Sequence, residues 1–181
     1  MKVNLGISLI ELLTVISIII IVASIAGNFQ SLIMNQRLSS DQHRLRQLIV
    51  TARQEAIRSN TTVVLCPLVD KLCVSDWNNT IFAFTDGNDD EELDNHERII
   101  YQWPSNERSV ALSWNSRRYL RFKATGMNKD PGSFTLCPRN IEQPETKAAM
   151  LTINMGGRSY FQRDNNNDGI VDKSGLNLSC P

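Results

Sequence analysis

From Ile7 to about Gly27 the chain is an almost unbroken apolar run, and Glu11 is the one charged residue inside it. About 20 residues at ~1.5 Å rise match a ~30 Å hydrocarbon core, so the run predicts a membrane-spanning helix. The helical pattern continues beyond it. No proline occurs before Asn60, and Gly27 is the only glycine after Ile7 in that stretch. Leu38, Leu45, Leu48, Ile49, Ala52, Ala56 and Ile57 recur at helical spacing, while Arg37, Arg44, Arg46, Arg53 and Arg58 lie largely off that stripe. The expectation is one long helix, lipid-facing at first and amphipathic later, with Gly27-Asn28 as a weak point and the arginines on a solvated face.

After Asn60 the pattern shortens to β-rich runs: Thr61–Cys66, Ile81–Thr85, Arg98–Trp103, Val110–Trp114, Tyr119–Ala124, Ser133–Cys137, Ala149–Ile153 and Ser159–Arg163. Asp86-Gly87, Asp130-Pro131-Gly132 and Gly156-Gly157 punctuate them as turns. Strands joined without helices predict antiparallel meanders packed on the one helix, an α+β architecture.

A carboxylate at the centre of a membrane helix costs roughly 2.5–3.5 kcal/mol on insertion scales, so Glu11 calls for a reason. A secretory signal peptide has a shorter apolar stretch and a small-residue cleavage site, which is not evident here. A plain anchor accounts for the length but not for Glu11. The pairing of Gly6 with Glu11 resembles the type III signal of type IV pilins and type II secretion pseudopilins. That resemblance implies a prepilin peptidase that cuts after Gly6 and methylates the new N-terminus at Ile7, where the family more often has phenylalanine. Glu11 is then the fifth residue of the mature chain. In a stacked filament it neutralises the α-ammonium of a neighbouring subunit and sets axial register, since unpaired charges in low dielectric are far worse than a pair.

The headpiece narrows the resemblance. Thr51-Ala52-Arg53-Gln54-Glu55-Ala56-Ile57-Arg58-Ser59-Asn60, Val63-Val64-Leu65-Cys66-Pro67, Gly132-Ser133-Phe134-Thr135-Leu136-Cys137 and Gly157-Arg158 are similar to FimT/FimU-like type IV minor pilins and the related H-type pseudopilins. The type IV pilin fold so implied divides the chain into a leader at 1–6, a membrane and filament-core half-helix at 7–28, an amphipathic half-helix at 29–60, and a β-rich headpiece at 61–181. It implies a minor pilin that primes assembly at or near the pilus tip. Its implied partners are other minor pilins, the major pilin, the peptidase and inner-membrane lipid. The headpiece is expected in the periplasm before assembly and outside the cell after it. The alternatives are a DNA-binding minor pilin for natural transformation and a type II secretion minor pseudopilin.

Composition adds limits. The formal net charge is zero, so nothing overall demands nucleic acid. Four cysteines after an export signal read as two disulfides in an oxidising compartment. Sequence permits three pairings. Cys66–Cys73 with Cys137–Cys180 is the expected one, because the first closes a small proline-containing loop and the second ties down the C-terminus. Zinc is the competing use, but C-x6-C is wider than the usual finger spacing.

Two acidic loops carry candidate calcium chemistry. Asp86, Asn88, Asp90, Asp94 and Glu97 stand at positions one, three, five, nine and twelve of an EF-hand-like loop, with the Glu92 carbonyl at seven, but Glu91 replaces the turn glycine. Asp164, Asn166, Asp168 and Asp172 form a second run with Gly169 in place, yet Gly175 stands where the twelfth ligand belongs. Both also read as solvated turns. For DNA, period-two geometry puts Arg117, Arg121 and Lys123 on one strand face with Tyr119. The G-R-x-R pattern of DNA-binding FimT members corresponds to Gly157-Arg158-Ser159-Tyr160, where the second arginine is lost and Arg163 follows soon after. No catalytic motif occurs: His43 and His96 are isolated, and Trp77, Trp103 and Trp114 read as core or rim.

Overall fold

The computed structural model describes residues 8–180, and within them the side chains of all but residue 22 and residues 24–31. Helix α1 runs Leu9–Ser59 without a break at Gly27-Asn28. The chain divides into two units, 1–37 and 38–181. The second begins where the helix turns amphipathic. Leu38, Leu45, Leu48, Ile49, Ala52 and Ala56 are all buried, as their spacing predicts, whereas Ile57 at the end of that stripe is half exposed.

The headpiece strands are β1 (Thr62–Val69), β2 (Leu72–Cys73), β3 (Ile81–Asp86), β4 (Ile99–Trp103), β5 (Val110–Trp114), β6 (Leu120–Phe122), β7 (Gly132–Pro138), β8 (Ala149–Ile153), β9 (Ser159–Phe161), β10 (Asp172–Lys173) and β11 (Leu176–Asn177). All pairings are antiparallel, as expected, and they form two main sheets. In the first sheet β1 lies between β3, which pairs with β4, and the two strands β2 and β6. The second runs β5-β7-β8-β9, and β10 with β11 is a separate hairpin. β6 is the strand that breaks the meander: it follows β5 in sequence but pairs with β1 through Val63–Phe122 and Leu65–Leu120. Burial explains this, since Val63, Leu65, Leu120 and Phe122 are fully buried on the inward face of that pair.

Cys66 is bonded to Cys73 and Cys137 to Cys180, so no cysteine among the described residues is free for zinc. The second bridge ties the C-terminal segment to a small cluster of Cys137, Ala148, Met150 and Leu178. Trp77, Trp103 and Phe134 are buried, and Trp77 meets Phe134 edge-on with centroids 4.7 Å apart.

Candidate functional site

In the first unit the described apolar side chains from Leu9 to Ile21 are largely exposed. Leu9, Ile10, Leu12, Leu13, Ile18 and Ile19 are each more than half exposed. Exposed apolar surface of this extent marks a membrane or protein interaction site. Glu11 is exposed within it, in the first turn of α1, and Thr14 donates its hydroxyl to the Glu11 carbonyl at 2.9 Å. An acid in a first helical turn is favoured by the macrodipole. Gly6 and Ile7 lie outside the described residues. Among the described residues no helix is long and apolar enough to cross a membrane. Leu9 to Ile21, at ~1.5 Å per residue, covers about 20 Å, and the expected span over 7–28 runs on into side chains that are not described.

The polar face of the second half-helix is solvated as expected at Arg37, Arg46 and Arg58, but Asp41, Arg44 and Arg53 turn to the headpiece. Those three charges hold the headpiece loops. The Asp41 carboxylate, buried, accepts from both the backbone N–H and the hydroxyl of Ser109, at 2.7 and 2.5 Å. Arg44 donates to the Tyr101 hydroxyl at 3.2 Å and pairs with Glu107 at 2.7 Å. Arg53 reaches two loops at once, donating to the carbonyls of Gly126 at 2.9 Å and Gly156 at 3.0 Å. Gly157 makes that convergence possible. It sits at φ +73°, and a Cβ there would lie 2.3 Å from the Gly126 carbonyl oxygen and 2.7 Å from Arg53 Nε. Gly157→Ala is therefore expected to cost about 2–4 kcal/mol, the sum of a left-handed penalty and a backbone clash. A urea midpoint that falls at unchanged m-value is the check.

Glu55 is the hub of the helix end. It is buried, and it accepts from Arg58 at 2.7 and 2.8 Å and from Arg98. The Arg58 hydrogen bonds, with Arg98 after them, hold its carboxyl below the ordinary value of 4.5. A depressed carboxyl stabilises the fold above its unfolded pKa, and that contribution is lost as pH falls through the folded one. Headpiece stability is thus expected to drop as pH falls below 4.5. Glu55→Gln should flatten that part of the acid limb in denaturant titrations at stepped pH.

The acidic loops turn their carboxylates inward onto their own backbone. Asp86, buried, accepts the N–H groups of Asp90 and Glu91, and its burial pushes its carboxyl up. Glu97 accepts those of Gly87 and Asp94, and Asn88 donates to Asp90. The Glu92 side chain is exposed. In the second loop Asp164 accepts from Asn167 and Gly169, Asp168 from Ile170, and Asp172 from Asn165, while the Asn166 side-chain amide donates to Asp168. Among the described residues no group of three or more His, Cys, Asp or Glu is gathered to hold a metal ion.

Of the three cations expected on one strand face only Arg121 lies on β6, with Arg117 and Lys123 in the flanking segments, and all three are engaged. Arg117 pairs with Asp130 at 2.8 Å, Arg121 with Glu91 at 2.8 Å and Asp130 at 3.6 Å, and Lys123 with Asp89 at 2.5 Å. Tyr119 is buried, with the Arg121 guanidinium 5.0 Å from its ring centre. The face expected to offer free cations to phosphate is instead neutralised by carboxylates. Arg158 and Arg163 are exposed, and among the described residues neither guanidinium is held in an ion pair.

Comparison with known proteins bears on this arrangement. Residues 41–157, more than half of the chain, match the family of the type II transport protein GspH. The fold is similar to that of the type IV minor pilin FimU of Pseudomonas aeruginosa strain PAO1 in two crystal forms. One gives a TM-score of 0.51 at 18% identity over 68% of this chain and 91% of that one. The other gives 0.50 at 19% identity over 70% and 89%. At these identities the likeness speaks for the fold alone. No curated protein sequence matches the chain. The chain belongs to the GspH family of type II transport proteins, and its headpiece carries the pilin fold of the FimU-like minor pilins.

Proposed function

We propose that the protein is a minor subunit of a type IV pilus that helps prime assembly at or near the tip. Pilin-type proteins associate with other pilins in a pilus or pseudopilus. The observation that carries the reading is Glu11, a lone carboxylate set among exposed apolar side chains at the start of α1. Under this proposal a prepilin peptidase cuts between Gly6 and Ile7 and methylates Ile7. The apolar half-helix anchors the chain in the inner membrane with the headpiece in the periplasm, and in the filament the same helix enters the core. The chain acts by assembling, with other minor pilins and the major pilin as partners, and has no catalytic site. The GspH family also supports the rival reading, a type II secretion minor pseudopilin. A deletion strain separates the two: loss of pili and twitching supports the pilus role, and loss of exoprotein secretion with pili intact removes it. Cysteine crosslinking from the headpiece to candidate minor pilins in cells then names the neighbours.

One observation favours a second reading, a DNA-binding minor pilin for uptake: the exposed guanidiniums of Arg158 and Arg163. Phosphate contacts of this kind weaken steeply with salt. Arg158→Ala with Arg163→Ala is expected to abolish retention of DNA by the full-length protein and transformation in cells. Retention unchanged by the double substitution would discard this site.

A further inference from the structure

We infer that the cationic surface formed by Arg121 on β6 with the flanking Arg117 and Lys123 is a docking surface for a carboxylate-rich segment of a neighbouring subunit, and that the protein's own loop tip, residues 88–91, occupies it as an autoinhibitory latch. The choice of a neighbouring subunit rests on the assembly role proposed above; the latch itself does not.

The β3–β4 connection, residues 87–98, contains six carboxylates and, until Arg98, no lysine or arginine. It is pinned at both ends. Asp86 is buried at its start. Farther along, Leu93 packs on the Val64, Phe84 and Tyr119 cluster, and its N–H donates to the Lys71 carbonyl. Between these pins the tip is held by charge. Asp89 presents both carboxylate oxygens to Lys123 Nζ, at 2.5 and 2.6 Å, and Glu91 accepts from Arg121 Nη1 at 2.8 Å.

The same two residues, Asp89 and Glu91, stand in the left-handed region, at φ 62° and 63°. Such a conformation is costly for a residue with a Cβ and persists only where the surroundings over-determine it. Here the over-determining contacts are the two ion pairs and the two long hydrogen bonds, 3.2 and 3.3 Å, that the Asp86 carboxylate accepts from the N–H groups of Asp90 and Glu91. Without the ion pairs only the Asp86 bonds oppose the strain, the balance moves toward a lifted tip, and Arg117, Arg121 and Lys123 are left facing the single carboxylate of Asp130. Three cations against one anion leave an excess of two positive charges on a surface already shaped for carboxylates two residues apart. An acidic segment of an adjacent subunit reproduces those contacts without the strained backbone.

The test uses the full-length protein in detergent micelles, with two labelled probes: a synthetic peptide of the sequence 86–97 and an oligothymidylate of matched charge. Asp89→Asn with Glu91→Gln removes both pairs. The double variant is expected to show faster amide hydrogen exchange at 88–91. It is also expected to bind the peptide at least about tenfold more tightly than the wild type, a gain of roughly 1.4 kcal/mol. Adding Lys123→Met should cancel the gain in affinity and leave the exchange fast. Unchanged exchange overturns the latch. Fast exchange with no gain in peptide affinity overturns the docking surface, and tighter binding of the oligonucleotide than of the peptide overturns the choice of partner. Pilus phenotypes enter none of these readouts, so failure here is distinct from failure of the assembly role.

Discussion

Glu11→Leu is expected to leave the protein in the inner membrane and out of the filament. Leucine removes a carboxylate that is unfavourable in lipid, so insertion is not impaired. The apolar surface from Leu9 to Ile21 is otherwise unaltered. Under the proposed register role, what is lost is the partner of the neighbouring α-ammonium. Breaking a buried ion pair by deleting one member costs about 3–5 kcal/mol, because the other charge stays uncompensated. At 1.4 kcal/mol per decade, that predicts a fall of about 100-fold or more in incorporation. Immunoblots of sheared pili against inner-membrane fractions read this directly. Glu11→Gln should behave like the leucine variant, because it too lacks the charge, whereas Glu11→Asp should retain part of the pairing. Wild-type incorporation of Glu11→Leu would falsify the register role.

Most of the fold is legible in residue patterns. The stripe from Leu38 to Ala56 names the buried helix face because a 3.6-residue period permits no other, and the strands at 110–114 and 149–153 appear where alternation and turns place them. Three features are not legible, each for a physical reason. The pairing of β6 with β1 depends on which apolar face is shared across some 55 residues of chain, and periodicity carries no information on partners. Arg44 and Arg53 look like part of the solvated face that Arg37, Arg46 and Arg58 do form, because their off-stripe spacing is that of exposed residues. Long side chains at such positions nevertheless reach loops: Arg53 bridges 73 and 103 residues of sequence to Gly126 and Gly156. Only Gly157, a glycine beside a second glycine, hints at so close an approach. Likewise the alternation of Arg117, Arg121 and Lys123 suggests one strand face, whereas β6 spans only Leu120–Phe122, and alternation cannot show that Asp89, Glu91 and Asp130 come to meet the three cations.

Arg108→Met is expected to cost the headpiece about 3–5 kcal/mol, the largest stability loss of any single substitution considered. Arg108 is buried. Its guanidinium donates to three backbone carbonyls, Trp77 at 2.7 Å, Asn78 at 2.7 Å and Asn79 at 2.5 Å, and it lies 5.3 Å from the centre of the Trp103 ring. Burial, with repulsion from Arg139 added, pushes its pKa down to about 10, which still leaves it charged at neutral pH. Methionine keeps much of the apolar stem but leaves the buried Trp77 carbonyl and the part-buried Asn78 and Asn79 carbonyls without their charged donor. Charge-assisted hydrogen bonds are worth roughly 1.5–3 kcal/mol each, and recovering the guanidinium's desolvation offsets only part of three. Lysine retains the charge but has no planar fork, so Arg108→Lys should fall between methionine and wild type. The damage reaches beyond loop 77–79. Asn78 Oδ1 accepts the Leu112 N–H and an Arg139 N–H, and so caps the outer edge of β5. A loosened loop uncovers that strand edge, and unpaired edges template association between chains. The Arg108→Met protein should therefore show a lower urea midpoint and faster exchange of the Leu112 amide. It should also show concentration-dependent association that wild type lacks. A midpoint within about 1 kcal/mol of wild type would mean that the three carbonyls find other donors and that loop 77–79 does not depend on Arg108.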